Sequence, residues 1–503
     1  MRRLRWLAVA LLAHGAAAES RAAEPLRSYN VDLGETTVSG VSSGAYMAIQ
    51  MAFAHSAIIR GAGLLAGGPY DCAGDSVVTA LGSCMQGPPR LDAIEERTRT
   101  AAEAELIDPP EALERRRFWL FHGYNDGTVR ASVSDGLFAF LGRFVPADQV
   151  FYQNRLRAGH AQVTETEGQE CGLTGPDFIN DCDYSAAGRL LQHLYGRLEP
   201  PGVGAPDGDL LPFDQRPFVA DEIDGTGFAD EGFVFVPRSC GQGNRCRLHI
   251  AFHGCEQHAK ALGERYVRGA GYNRWAATNA IVVLYPQIDP DHAPATALVL
   301  PGNPKGCWDW WGYVDDKYAT QAGVQIAAVM AMARRLTEGL DPARPWPAPG
   351  AATPAAPVVD VSAAAVGLAW RPVKDAAGYN LYRQAGDGPE IRVNVLPIRG
   401  LSFADQGRTP DTLYRYRLRA VWTGGGESEP SPPAEARTAT PAPECDPYYA
   451  TVGEHVVALR AYLWFGSYLA WGSGDHLAGP FGWWDKVLIT RRADGQYHAG
   501  PCE

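Results

Sequence analysis

Glu35-Thr36-Thr37-Val38-Ser39-Gly40-Val41-Ser42-Ser43-Gly44-Ala45-Tyr46-Met47 is the stretch that decides the fold. Its first residues are those of a strand. It then passes through Gly40-x-Ser42-x-Gly44 and enters an apolar, helix-favouring run from Ala45 to Ala54. Strand, sharp turn and helix in this order lift a serine hydroxyl above a sheet edge. The two glycines are expected because strand and helix approach so closely that a side chain would clash. The turn places Ser42 at the positive end of the helix and leaves the backbone N–H of Ser43 able to bind an oxyanion. The plainer alternative for the same letters is a Gly-Ser loop.

The chain has 503 residues, too many for one ordinary core, so two to four domains are expected. A net charge of −12 argues against nucleic acid as a partner. No apolar run reaches membrane-spanning length; the longest, Leu459 to Trp471, is broken by Arg460 and Gly466. Arg2, Arg3 and Arg5, the apolar run Trp6–Ala13 and the small residues Ala16-Ala17-Ala18 read as a signal peptide over residues 1–18. The protein is therefore expected to be secreted, with the periplasm left open. Export permits disulfides, and the ten cysteines are even in number. Spacing suggests Cys72–Cys84, Cys171–Cys182, Cys240–Cys246 and Cys445–Cys502, which leaves Cys255 with Cys307. There is no C-x-x-C and no H-E-x-x-H, so no metal is expected.

Residues 28–340 alternate apolar strand runs with helical ones, the pattern of an α/β domain. The strand runs are at Gly61–Gly68, Phe118–His122, Gln149–Gln153, Gly232–Val236, Leu248–Phe252 and Ala280–Tyr285, and Ala319–Leu336 reads as a helix. Residues 341–356 form a Pro/Ala-rich linker, expected to be stiff and extended. Residues 357–440 read as all-β. Tyr414, Tyr416, Leu418, Ala420 and Trp422 alternate with Arg415, Arg417 and Arg419, the period of a half-buried strand. Pro410-x-Thr412-x-Tyr414 is similar to the tyrosine corner of fibronectin type III modules, so a small sandwich is expected. Residues 445–503 form an aromatic-rich module with a helix expected over 454–465. Its core would be marginal, and a Cys445–Cys502 bridge would compensate. The aromatics either present an adsorption surface to an insoluble polymer or simply fill the small core.

A serine nucleophile needs a base to take its proton and an acid to orient that base. After the strand at 118–121 comes His122-Gly123-Tyr124-Asn125-Asp126-Gly127. After the strand at 149–153 comes Ala158-Gly159-His160. Both loops follow the C-terminal ends of strands, where catalytic groups of α/β folds collect. Asp126 is the candidate acid and His160 the candidate base, and Ser42…Asp126…His160 is the α/β-hydrolase order. His122 and His253, each before a glycine, are expected to brace loops. The strand Leu248–Phe252 runs into His253-Gly254-Cys255-Glu256-Gln257, the usual context of a second oxyanion donor, assigned to the Cys255 N–H. A Cys255–Cys307 bridge would bring Trp308-Asp309-Trp310-Trp311-Gly312-Tyr313 beside the site, with at least one Trp facing the cleft. The oxyanion strand here follows the nucleophile, and Tyr29-Asn30-Val31-Asp32, just before the nucleophile strand, reads as the missing continuation of the chain after the helix that ends at Leu336. Both features suggest a circular permutation.

These motifs, with Asn303-Pro304-Lys305-Gly306-Cys307-Trp308-Asp309-Trp310-Trp311, resemble the extracellular poly(3-hydroxybutyrate) depolymerases with an N-terminal lipase box and a circularly permuted α/β-hydrolase domain. The resemblance covers roughly residues 28–340. It implies a triad of Ser42, Asp126 and His160, oxyanion donors at Ser43 and Cys255, and Trp308 lining a groove for the polymer chain. Tyr46 is expected as a second substrate contact. One departure is Glu256, where Gln is expected. The resemblance implies a serine esterase that cleaves an insoluble polyester without metal or cofactor; the chain itself is expected to be a monomer. The rivals are a secreted feruloyl or acetyl esterase of plant polysaccharide and a surface adhesin built on an inactive hydrolase scaffold.

Overall fold

The computed structural model describes residues 23–502 except 203, 220–221, 295–302, 344–353, 424, 441–444, 465–466 and 480. The expected signal peptide at 1–18 lies outside the described residues, as does most of the expected linker. Eight strands build the central sheet: β1 (Val31–Val41), β2 (Gly61–Leu65), β3 (Arg117–Phe121), β4 (Val150–Gln153), β5 (Gly208–Asp214), β6 (Glu231–Pro237), β7 (Cys246–Phe252) and β8 (Ile281–Tyr285). Their order is β5-β6-β8-β7-β1-β2-β3-β4, with the short strand Glu24–Pro25 outside β5. From β8 to β4 all neighbours are parallel, while β6 runs antiparallel to both β5 and β8.

The central strands are apolar throughout because both faces are covered: every residue of β2, β3 and β8 is buried. On one face lies α1 (Ser43–Ala54), all twelve residues of which are buried, with α3 (Val324–Thr337) against it. On the other lies α2 (Ala186–Tyr195). The helix read from Ala319 begins five residues later, at Val324, because Gly323 and the turn before it precede the first helical residue. The end of α3 meets the start of β1: Tyr29 N donates to Leu336 O at 2.9 Å and Asp341 N to Asn30 Oδ1 at 2.8 Å. Strand β5 was not legible beforehand. It lies next to the sheet edge, bordered outside by Glu24–Pro25 only at Phe213 and Asp214, and contains Pro212, a residue tolerated where the ladder gives out.

Seven strands form the sandwich: β9 (Val358–Val361), β10 (Ala365–Ala369), β11 (Ala376–Ala385), β12 (Glu390–Arg392), β13 (Ser402–Gln406), β14 (Leu413–Trp422) and β15 (Ala434–Arg437). Sheet β9-β10-β13 faces sheet β12-β11-β14-β15. On β14, Tyr414, Tyr416, Leu418 and Ala420 point into the core with Trp370, Tyr379 and Leu381. The Tyr414 hydroxyl accepts from Thr409 N at 3.0 Å, the backward bond of a tyrosine corner. The sandwich docks on the flank of the central sheet. Asp360 accepts from Tyr184 Oη (2.7 Å) and Trp119 Nε1 (3.3 Å), and Gln153 Nε2 donates to Val361 O (2.8 Å).

The C-terminal unit holds β16 (Cys445–Thr451), α4 (Val452–Val457), β17 (Ala461–Trp464), β18 (Ser467–Ala470), β19 (His476–Ala478), β20 (Lys486–Arg492) and β21 (Tyr497–Ala499) in two three-stranded sheets. The helix expected over 454–465 is shorter. A capping box of Thr451 and Glu454 starts it, and Leu459, at φ 57°, lies just past its end. Tyr462, Leu463 and Trp464 are strand formers and pair with β18 instead. All ten cysteines are bridged: Cys72–Cys84, Cys171–Cys182, Cys240–Cys246, Cys255–Cys307 and Cys445–Cys502. Among the described residues, no helix is long and apolar enough to cross a membrane.

Candidate active site

Ser42 stands between the last residue of β1 and the first of α1, at φ 57° and ψ −123°. A non-glycine residue pays a conformational cost there that only the surrounding packing sustains. Both flanking glycines are sterically required. A Cβ at Gly40 would lie 2.2 Å from Gly44 O, and one at Gly44 would lie 2.4 Å from Phe252 O at the end of β7. The strand ends are then laced together in steps. Ser42 N donates to Leu65 O, Ala66 N to Phe121 O and His122 N to Gln153 O, each at 2.9 Å. These bonds bring the loops after β1, β2, β3 and β4 to one edge of the sheet.

Asp126 and His160 meet on that edge, both buried, with Asp126 Oδ2 at 2.7 Å from His160 Nδ1. Asp126 Oδ1 accepts from Thr128 N (2.9 Å) and Val129 N (3.0 Å). Burial pushes the Asp126 carboxyl up. The charge and hydrogen bond of His160, the nearby His122 and the Val129 N–H outweigh it, so the net direction is down and the group is an anion. The loops of Asp126 and His160 touch closely: Tyr124 N donates to Leu156 O and Asn125 N to Ala158 O, both at 3.1 Å. A Cβ at Gly123 would lie 2.2 Å from Ala158 O. His160 N donates to Thr174 Oγ1 at 3.0 Å, tying His160 to the segment closed by Cys171–Cys182. Among the described residues no hydrogen bond joins Ser42 to His160, and His160 Nε2 has no protein partner. Catalytic bonds of this kind often tighten only when substrate is bound.

Across the edge lies the loop after β7. A Cβ at Gly254 would be 3.4 Å from Ser42 Cβ, so this loop borders Ser42 directly. Gly254 N donates to Gln257 Oε1 (2.7 Å), and Gln257 Nε2 donates to Phe178 O (2.9 Å). Glu256 N donates to Lys305 O (2.7 Å), their side chains pair at 3.1 Å, and Cys255–Cys307 closes the loop. Among the described residues, the N–H groups of Ser43 and Cys255 have no carbonyl partner. His253 is fully buried and pushed down to about 3 by burial, so it is neutral. Its Nδ1 meets Gly254 O at 2.8 Å and its Nε2 accepts from Ile288 N at 3.3 Å, as expected of a loop brace. His122 does the same with Val129 O at 2.9 Å.

Two expected substrate contacts are corrected. Trp308 is 0 % exposed; its ring packs beneath the loop after β7 against Phe252 (4.9 Å) and His253 (5.5 Å) and lines no groove. Tyr46 is buried as well. It stacks on Trp310 at 4.2 Å and its hydroxyl donates to Cys84 O. The cause is Asp309, whose carboxylate accepts from the backbone N–H groups of Trp311, Gly312, Tyr313 and Val314. That curl turns Trp308 and Trp310 inward and leaves Trp311 as the partly exposed Trp of the three. Residues that sequence reasoning passed over are Asn125, Thr174 and Gly123. Asn125 and Gly123 sat in plain view beside Asp126.

No family model matches the chain. The poly(3-hydroxybutyrate) depolymerase of Delftia acidovorans is 36% identical over 495 residues, spanning 96% of this chain and 95% of that protein. The polyhydroxybutyrate depolymerase of Talaromyces funiculosus is 36% identical over 338 residues, 65% of this chain and 96% of that protein. The crystal structure of a PHB depolymerase from Penicillium funiculosum superposes with a TM-score of 0.58 at 32% identity, covering 63% of this chain and all of that one.

Proposed function

Because the chain belongs to the poly(3-hydroxybutyrate) depolymerase family, we propose that it hydrolyses poly(3-hydroxybutyrate) or its oligomers as a serine esterase. The observation that carries the mechanism is the buried Asp126–His160 pair, held on the same sheet edge as the strained Ser42. His160 Nε2 takes the Ser42 proton while Asp126 orients the ring and stabilises the imidazolium. Ser42 Oγ attacks the ester carbonyl, and the Ser43 and Cys255 N–H groups receive the oxyanion. The alcohol end of the chain leaves with the proton from His160. Water, deprotonated by His160, then cleaves the acyl-enzyme and frees the 3-hydroxyacid end.

The sheet order supports a circular permutation. Strands β5 to β8, which carry the oxyanion loop, precede β1 in the sheet but follow it in the chain, and Tyr29 abuts Leu336 where the unpermuted chain would continue. Five disulfides fit secretion into an oxidising compartment, and we take the enzyme to act as a monomer. The C-terminal unit fits adsorption to polymer: Trp464, Trp471, Phe481 and Trp484 are exposed, while Tyr468 lies in the core with Trp483 packed against it. The test is clearing of an amorphous poly(3-hydroxybutyrate) suspension by the mature protein beside Ser42→Ala. Clearing by the first alone is expected. If neither clears it while p-nitrophenyl butyrate is still cut in a Ser42-dependent way, the enzyme is an esterase of another substrate, such as a feruloyl or acetyl ester.

A further inference from the structure

The C-terminal unit closes on the loop that carries Asp126. Cys502 N donates to Asn125 Oδ1 at 2.7 Å, and Cys502 is bridged to Cys445, so both ends of the unit are pinned at one point. The same Asn125 side chain donates from Nδ2 to Arg157 O at 3.1 Å, and its backbone N donates to Ala158 O. Arg157 and Ala158 lead directly into His160. Asn125 is 1 % exposed. One buried amide beside the acid thus joins the acid loop, the base loop and the C-terminal unit.

Further contacts follow the same line. A Cβ at Gly127 would lie 2.5 Å from Tyr449 N, so the backbone of β16 rests on the acid loop itself. Arg130, at the end of that loop, sets its guanidinium 4.2 Å over the Tyr448 ring and pairs with Asp446 at 3.4 Å. On the base side, a Cβ at Gly172 would lie 3.2 Å from Asn125 Nδ2 and 3.5 Å from Pro501.

We propose that the C-terminal unit is a working part of the catalytic site: through Asn125, a positioning residue, and through Tyr448 under Arg130, it holds the acid and base loops in register. Buried polar networks of this kind are strong only when every member is satisfied. Small misplacement of a catalytic group, about 1 Å, costs on the order of 100-fold in rate. The proposal rests on the assignment of Asp126 and His160 as acid and base. It differs from adsorption because it acts on soluble esters too.

The experiment uses the full chain and p-nitrophenyl butyrate, with rates per folded enzyme. Asn125→Ala is expected to lower kcat by about 10- to 100-fold with KM nearly unchanged. Tyr448→Ala is expected to lower kcat several-fold, and Tyr448→Phe, which keeps a ring under Arg130, to restore it. Wild-type kcat in Tyr448→Ala overturns the proposal, even if Asn125→Ala is slow, because Asn125 then works within the catalytic body alone. So does a loss that Tyr448→Phe fails to rescue. A Ser42→Ala arm separates the two readings: if it leaves the ester activity intact, the serine mechanism itself falls.

Discussion

The two units that follow residue 357 solve the problem of small size in opposite ways. The sandwich buries a continuous core including Trp370, Tyr379, Leu381, Tyr416 and Leu418, and contains no cysteine. Among its described residues the C-terminal unit buries mostly small side chains, Val452, Ala461, Ala470 and Ala478, with Tyr468 and Ile489, and closes its ends with Cys445–Cys502. A unit of that size needs a staple or a neighbour, and this one has both. The sandwich rests on the flank of the sheet, at Trp119, Phe151 and Gln153. The C-terminal unit rests on the Asp126 loop. The stability of the weaker unit and the geometry of the site are therefore coupled, while the sturdier unit stands apart.

The largest expected effect comes from removing the staple. Cys445→Ser with Cys502→Ser frees a loop spanning 57 residues, worth about 4 kcal/mol by the chain-entropy relation. Against so small a core, that is enough to unfold the unit. Hydrogen exchange should show amides across 445–502 losing protection while those across 357–440 keep theirs. Loss in both would break the contrast.

Acid gives the next effect. His455 is buried, with Nε2 bonded to Val487 O (3.1 Å) and Nδ1 accepting from Arg460 Nε (3.0 Å), an arrangement that suits the neutral ring. Burial, opposed by the Val487 bond and reinforced by the Arg460 charge, pushes His455 down to about 4 from 6.5. The unfolded chain takes up a proton below 6.5 and the folded unit does not. The stability of the unit is therefore lost as pH falls from about 6.5 towards about 4, by up to about 3 kcal/mol. The sandwich has no histidine. Exchange protection measured from pH 7 to pH 4 should decline in 445–502 well before 357–440, and equal decline would remove His455 as the cause.

What the sequence made legible follows the same division. The Ser42 elbow could be read because its signature lies within five residues: Gly40 answers to Gly44 O in the same turn, and Gly44, though its steric partner is the distant Phe252 O, sits at the fixed spacing the turn demands. Asp126 and His160 could be read because each follows a buried apolar strand in a loop rich in turn residues. The sandwich showed its period-2 alternation along β14. Side-chain direction was not legible. Trp308 and Tyr46 looked available to substrate, but Asp309 curls one segment inward and α1 is buried on every side. Nor was the Asn125–Cys502 bond, whose partners are 377 residues apart with no local signal on either side.

The smallest expected change in stability is also the one that decides what the exposed rings are for. Exposed apolar side chains on the sandwich include the aliphatic Val395 and Leu396, whereas on the C-terminal unit Phe481 is 95 % and Trp484 79 % exposed. Rings so open contribute little to folding, so Phe481→Ala with Trp484→Ala should shift the stability of the unit by no more than about 0.5 kcal/mol. Each ring laid on a polyester surface would bury on the order of 150 Å², a gross gain of about 4 kcal/mol before ordering costs. The double variant should therefore bind poly(3-hydroxybutyrate) granules at least tenfold more weakly in a sedimentation assay while melting where the parent melts. A large drop in melting temperature with unchanged granule binding would mean that these rings serve the fold, and that the weaker unit exists to brace the acid loop rather than to hold polymer.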